Sequence, residues 1–370
     1  MKQLLRISAL GVCLALAAAA CGSDDSSSDT TTTEGTSSKI KVAFVYVGPV
    51  GDAGWTKKHD DGRKALEAEL GDQVEVKILE SVPEGAESQR VFEDLVKEGN
   101  DLIFATSFGY MDQMLAVAEA NPDVCFEHAT GYKTAANMGT YFGAAEEARY
   151  LSGMAAGHAS ASGKLGYVAA FPIPEVIRGI NAFTLGAQSI NPAATVQVVW
   201  TKTWFGPDEE KQAAESLLDA GVDVLAQHQD TPSTGEAADA AGAKWVGYND
   251  DMSSFAPEAW LTGPVWDWGP YYIRTAQAVL DGTCPNDQYY GSMADGMVGL
   301  APYGSSVTAD VQTHIDDVAE TIKDGSFAPF TGPISDQDGA EKYADGATAT
   351  LEELLGMDYF VEGVVGSPTG

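Results

Sequence analysis

The chain has 370 residues, 44% of them hydrophobic and 20% charged, with 54 Asp and Glu against 21 Lys and Arg, a formal net charge of −33. That length accommodates two ordinary domains with a sizeable core. So acidic a surface repels nucleic-acid phosphates and anionic lipid headgroups, which argues against nucleic acid as a direct partner and says nothing specific about a small ligand.

The N-terminus reads as an address. Met1 to Arg6 is short and basic, Ile7 to Ala20 is apolar, and Ala18, Ala19 and Ala20 run into Cys21, so residues 1–20 have the layout of a secretory signal peptide. Small residues ending on a cysteine resemble a bacterial lipobox, and Cys21 is the expected lipid anchor; an ordinary cleaved signal is the alternative. Residues 21–38 carry no aliphatic or aromatic side chain to bury beyond that cysteine and read as a disordered acidic tether. Cys125 and Cys284 remain for the folded body, where they could pair in an oxidising compartment, although their separation in space is not readable from sequence. No other stretch reaches the roughly 18 consecutive apolar residues of a membrane span.

From Lys39 onward, apolar runs alternate with amphipathic segments. Lys41 to Val47 reads as a strand, Asp61 to Leu70 as a helix, Val74 to Leu79 as a strand and Glu84 to Glu98 as a helix with Val91, Phe92, Leu95 and Val96 on one face. Asp101 to Ala105 and Val124 to Glu127 are strands flanking a helix over Met111 to Ala120, and Tyr150 to Ser160 is a helix rich in small residues. The pattern restarts with strands at Lys164 to Ala169, Val196 to Thr201, Asp223 to Ala226 and Lys244 to Tyr248, and helices at Glu175 to Ser189, Asp208 to Ala220 and from Ser233. Such alternation predicts parallel sheets with helices on both faces, and two successive units predict two lobes. Beyond Ala259 the pattern loosens: Trp260 to Val265 and Gly296 to Ala301 as strands, Pro270 to Leu280 and Thr308 to Lys323 as helices.

In open α/β folds ligands bind beyond the carboxyl ends of the strands. The loops there carry Asp52 and Trp55, Thr106 to Tyr110, His128 to Tyr132, Phe171 to Glu175, Trp204 to Pro207, Gln227 to Pro232 and Asn249 to Met252. Nearly every one holds an aromatic ring or a carboxylate, which suits a flat heterocycle stacked between rings and read by Asp and Asn side chains. Core packing is the competing account of Phe108, Phe171 and Trp204, and a turn or helix-entry role that of Asp230. The five histidines, His59, His128, His158, His228 and His314, are scattered, with no zinc spacing, and His128 and His228 read as structural. No phosphate loop or nucleophile elbow occurs. Asp336-Gln337-Asp338 begins like a calcium loop, but Glu341 and Ala347 stand where that loop needs glycine and glutamate. Neither a metal nor a cofactor is expected, and the chain does not read as an enzyme.

Gly48-Pro49-Val50-Gly51-Asp52-Ala53-Gly54-Trp55, Thr106-Ser107-Phe108-Gly109-Tyr110, Phe126-Glu127-His128-Ala129-Thr130-Gly131, Phe171-Pro172-Ile173-Pro174-Glu175 and Trp268-Gly269-Pro270-Tyr271-Tyr272 resemble the basic membrane protein (BMP, PnrA-like) substrate-binding proteins of ABC transporters. The resemblance runs from about Lys39 to Val365. It implies an α/β, type I periplasmic-binding-protein fold, with two doubly wound parallel-sheet lobes joined by a three-crossover hinge that closes on a ligand. The expected division is 39–145 plus 260–290 for lobe 1, 146–259 plus 291–330 for lobe 2, and a C-terminal tail, 331–370, over both. By the resemblance, Asp52, Trp55, Phe108, Gly109, Phe171, Asp230, Asn249 and Asp250 are ligand contacts, to which the loop reading adds Trp204. Trp266, also an expected ligand contact, stands where nucleoside-binding members carry a lysine for the sugar, which favours a free purine base over a nucleoside. The expected role is that of a monomeric, extracytoplasmic receptor, lipid-anchored to the cell membrane, that binds a purine or related heterocycle and hands it to an ABC permease. A ligand-sensing surface lipoprotein and a secreted nucleoside hydrolase using Asp52, Asp230 and Asp250 are the alternatives.

Overall fold

The computed structural model describes residues 39–370. The expected signal peptide, the Cys21 anchor and the tether lie outside the described residues. The chain first lays down β1 (Ile40–Val45), α1 (Trp55–Leu70), β2 (Val74–Leu79), α2 (Ala86–Lys97), β3 (Leu102–Ala105), α3 (Met111–Ala120), β4 (Cys125–Ala129) and β5 (Met138–Gly143). After α4 (Ala145–Ala159) come β6 (Lys164–Ala169), α5 (Pro174–Ile190), β7 (Thr195–Trp200), α6 (Pro207–Asp219), β8 (Val224–His228), α7 (Ser233–Ala241) and β9 (Lys244–Val246). Then follow β10 (Trp260–Thr262), β11 (Pro264–Trp266), α8 (Gly269–Leu280), β12 (Gln288–Gly291), β13 (Val298–Leu300) and α9 (Ala309–Lys323). The chain closes with β14 (Ile334–Ser335), β15 (Glu341–Tyr343), α10 (Leu351–Leu355) and β16 (Val364–Val365).

Two parallel six-stranded sheets result, in the orders β12-β5-β4-β3-β1-β2 and β10-β9-β8-β6-β7-β16. Alternate residues of each strand enter the core on opposite faces. Phe44, Leu102 and Phe104 pack on one side of the first sheet and Ala43, Val45 and Ile103 on the other; Leu165, Tyr167 and Val224 oppose Val168 and Leu225 in the second. The chain passes between the sheets at Ala144, between Thr262 and Gly269, and after Gly291, which is the expected doubly wound, three-crossover fold.

Several elements differ from the sequence reading. Helix α1 starts at Trp55, six residues before the expected Asp61, because a buried carboxylate caps a first turn that is polar in sequence. Strand β5 was unforeseen: Met-Gly-Thr-Tyr-Phe-Gly has no alternation, since all six residues are buried between neighbouring strands. The single strand expected over Trp260 to Val265 is two. Strand β10 extends the second sheet, whereas that segment was assigned to lobe 1, and β11 pairs antiparallel with β13. Gly263 marks the break, where a Cβ would stand 2.8 Å from the Gly247 carbonyl carbon. The tail was expected over both lobes, yet Ile334, Tyr343, Met357, Phe360, Val361 and Val364 are all buried in the second sheet's core, and β16 extends that sheet beside β7. Cys125 and Cys284, left open in sequence, form a disulfide that ties the start of β4 to the segment after α8.

Candidate functional site

The carboxyl ends of the two sheets face one another across a narrow cavity. Val47, Trp55, Ser107, Phe108 and Thr130 line it from the first sheet, and Glu175, Trp204, His228, Asp230 and Tyr248 from the second.

On the first side, Trp55 opens α1 with 7% of its surface exposed. Its indole Nε1 donates to the Thr106 carbonyl at 2.6 Å, and His59, Trp266 and Trp268 meet it edge-on at 4.3, 6.1 and 5.6 Å. The plane of the ring is therefore fixed before any ligand arrives. Phe108, in a 3-10 turn after β3, lies 6.4 Å from Tyr132. On the second side, Trp204 leans on Phe171 at 5.0 Å, and His228 on Tyr248 at 4.3 Å. The Trp204 Nε1 donor and one Glu175 carboxyl oxygen have no protein partner.

Burial governs the charges. It pushes the Glu175 carboxyl up to about 7, against a weaker opposing pull from Arg178. It raises Asp230 well above the usual carboxylate range, reinforced by the neighbouring Asp52 and Glu210 carboxyls. His228 is driven well below its ordinary value by burial and then by Arg149 and Arg178, so its ring is neutral. Burial thus favours the protonated form of both carboxyls, the form that can both donate and accept. His228 Nε2 and Glu175 Oε1 are 3.7 Å apart, too far for a hydrogen bond. Among the described residues no three His, Cys, Asp or Glu side chains gather to hold a metal.

Of the expected contacts, Trp55, Phe108, Trp204 and Asp230 reach the cavity, and the other six do not line it. Asp52 accepts from the backbone N–H groups of Gly54, Thr56 and Lys57 at 2.9, 2.7 and 3.0 Å, so its carboxylate caps α1 instead of facing a ligand. Gly109 gives its N–H to Glu84. Phe171 stands behind Trp204. Asn249, in the left-handed region at φ 73°, donates to Asp230 at 3.1 Å and accepts from Trp266 Nε1 at 2.9 Å, so it and Trp266 orient Asp230. Asp250 pairs with Lys57 at 2.5 Å and Lys58 at 3.5 Å, joining the β9 loop to α1. Gly54 sits at the same seam, where a Cβ would meet the Asp230 carbonyl oxygen at 2.9 Å.

Val47, Ser107, Thr130, Glu175, His228 and Tyr248 line the cavity without having been singled out, and His228, read as structural, is on its wall. Five of them lie at or just after strand ends, and Glu175 opens the helix that follows β6. That is the signal that could have found them.

Residues 39–329 match the sequence profile of a family described as ABC transporter substrate-binding protein, PnrA-like. A purine-binding protein of Brucella abortus is 47% identical over 326 residues, 88% of this chain and 93% of that one. A Haloferax volcanii protein named as a putative ABC transporter glucose-binding protein is 41% identical, over 88% of this chain and 81% of its own length. In fold, the chain is similar to a solute-binding protein of an Aeropyrum pernix ABC transporter, with a TM-score of 0.69 at 19% identity over 78% of this chain and 92% of that one.

Proposed function

The chain belongs to the family of PnrA-like substrate-binding proteins of ABC transporters, and from that premise we propose that it traps a free purine base between its two sheets and delivers it to a permease. The observation that carries this reading is the cavity itself: aromatic rings from both sheets, with two buried carboxyls, Glu175 and Asp230, at its edge. Flat faces supply stacking, and Asp230, Glu175 and the Trp204 N–H supply donors and acceptors for ring nitrogens and exocyclic groups. Trp266 stands where nucleoside-binding members carry a lysine for the sugar, and its indole N–H is given to Asn249, which supports a base over a nucleoside.

The chain performs no chemistry on its ligand in this reading. It works as a monomer outside the cytoplasm, held to the membrane through a lipid on Cys21. Among the described residues no helix is long and apolar enough to cross a membrane. Calorimetry with purine bases, nucleosides, a flavin and glucose tests the ligand. Micromolar binding of a base supports the proposal. Binding of glucose alone, the ligand in the name of the Haloferax relative, or of nothing in the panel overturns it.

A further inference from the structure

Behind the His228 and Tyr248 wall lies a second group of polar atoms that the ligand reading does not use. Arg149, on α4, is fully buried, and none of its three guanidinium nitrogens has a protein acceptor. The guanidinium stacks 3.8 Å over the Tyr248 ring, which satisfies its face but not the N–H groups at its edge. Arg178 on the neighbouring helix shows the contrast: it is equally buried but donates to Glu146 at 3.1 Å and to the Leu354 carbonyl at 2.7 Å. Tyr167 Oη and His228 Nδ1 are also buried without partners.

These atoms converge on one glycine. A Cβ on Gly179 of α5 would meet Arg149 Nε at 3.6 Å, Tyr167 Oη at 3.6 Å and His228 Nδ1 at 3.7 Å, all ordinary contacts. Other glycines at the α4 and α5 contact have a steric reason: a Cβ on Gly153 or Gly186 would collide with a backbone oxygen of the facing helix at 2.1 or 1.9 Å. Gly179 has none, although glycine inside a helix is less favourable than alanine. Its missing side chain leaves room beside three groups that can all donate a hydrogen bond, one of them a buried cation with no counter-charge. A buried charge without a partner is strongly unfavourable.

We propose that this point is an anion site, in which a single small halide, chloride under physiological conditions, is held above Gly179 by Arg149 Nε–H, Tyr167 O–H and His228 Nδ1–H. Three donors around one point suit an anion, and water brings no charge to balance the guanidinium. With Nδ1 donating to the ion, His228 Nε2 is left as an acceptor on the side of the ligand cavity. The ion thereby sets which tautomer the ligand meets. The inference stands independently of which ligand the cavity takes.

The test compares melting in potassium chloride, bromide and gluconate at equal ionic strength, so that general screening of the acidic surface is the same in all three. The expected result is a saturable rise in Tm of a few degrees in either halide over gluconate, lost in Arg149→Met and in Gly179→Ala. The alanine variant keeps the test decisive if loss of Arg149 prevents folding, because its methyl fits at van der Waals distance and favours the helix. Crystals grown in bromide should show an anomalous peak in contact with all three donors. Equal Tm in the three salts, a halide response that survives Gly179→Ala, or water in place of the bromide peak would overturn the proposal.

Discussion

Trp55 and Trp204 stand on opposite walls of one cavity and are held in different ways. Trp55 is nearly enclosed, its N–H is bonded to the backbone, and it belongs to a continuous aromatic cluster with His59, Trp266 and Trp268. Trp204 is half-buried, in the loop after β7, with Phe171 at 5.0 Å, His228 at 6.4 Å and a free N–H. The same division runs through the rest of the site. Thr130 Oγ1 apart, the polar side chains of the first wall are bonded within the protein, whereas the second wall holds the Trp204 N–H and a Glu175 oxygen with no protein partner. Shape is set by one wall and hydrogen bonding by the other, and preorganising the first reduces the ordering cost of binding.

The contrast can be broken most directly at Trp55. Trp55→Ala should cost about 3 to 5 kcal/mol of stability, as for other large-to-small changes of buried aromatics, and abolish ligand binding; denaturant unfolding followed by circular dichroism measures the first effect. Removing the disulfide by Cys284→Ser should cost about 2 to 5 kcal/mol, since it frees a long loop of the unfolded chain. That loss belongs to the first side and should leave affinity at 20 °C unchanged in molecules that remain folded. Trp204→Ala should do the reverse, weakening the ligand by about 1 to 3 kcal/mol, the range for base–aromatic stacking, while its melting curve stays close to wild type. Equal destabilisation by both tryptophan variants would dissolve the distinction between the walls.

The second side also carries a pH dependence. Burial holds Glu175 up to about 7 and Glu210 up to about 8, from an ordinary 4.5. The folded protein therefore keeps protons that the unfolded chain releases above 4.5, and stability falls as pH rises from there to about 8. Tm should be several degrees higher at pH 5 than at pH 8. Glu210→Gln, whose oxygen can still accept from the Gly206 N–H while its amide donates to the Thr231 hydroxyl, should make that slope shallower. The buried Glu127 of the first sheet, pushed up to about 8, adds to the same slope and should be unaffected by the Glu210 change. The smallest effect is expected at the seam. Lys57→Met breaks a partly exposed pair with Asp250 and should change stability by less than about 1 kcal/mol, with any effect on ligand release read by stopped-flow fluorescence.

Much of this architecture was present in the order of residues. Helices such as α3 and α9, and strands such as β2 and β6, follow from apolar periodicity alone, because one buried stripe or one buried run is enough to specify each. Trp55, Phe108, Trp204 and Asp230 could be placed at the cavity because a doubly wound sheet brings the ends of its strands together. Asp52 could not be resolved in the same way. A carboxylate in a glycine-rich turn suits a ligand and a helix N-terminus equally, and only the three N–H groups around it decide. Glu175, His228 and Tyr248 sit in segments of the right kind, yet their role depends on which side chain turns toward the opposite sheet, a matter of packing between residues far apart in the chain. Gly179 and Arg149 are 30 positions apart on two helices, and neither has a local signal. A one-dimensional pattern specifies each element and the face it buries, whereas the pairing of a buried cation with a space left by a glycine exists only after two helices and two sheets have come together.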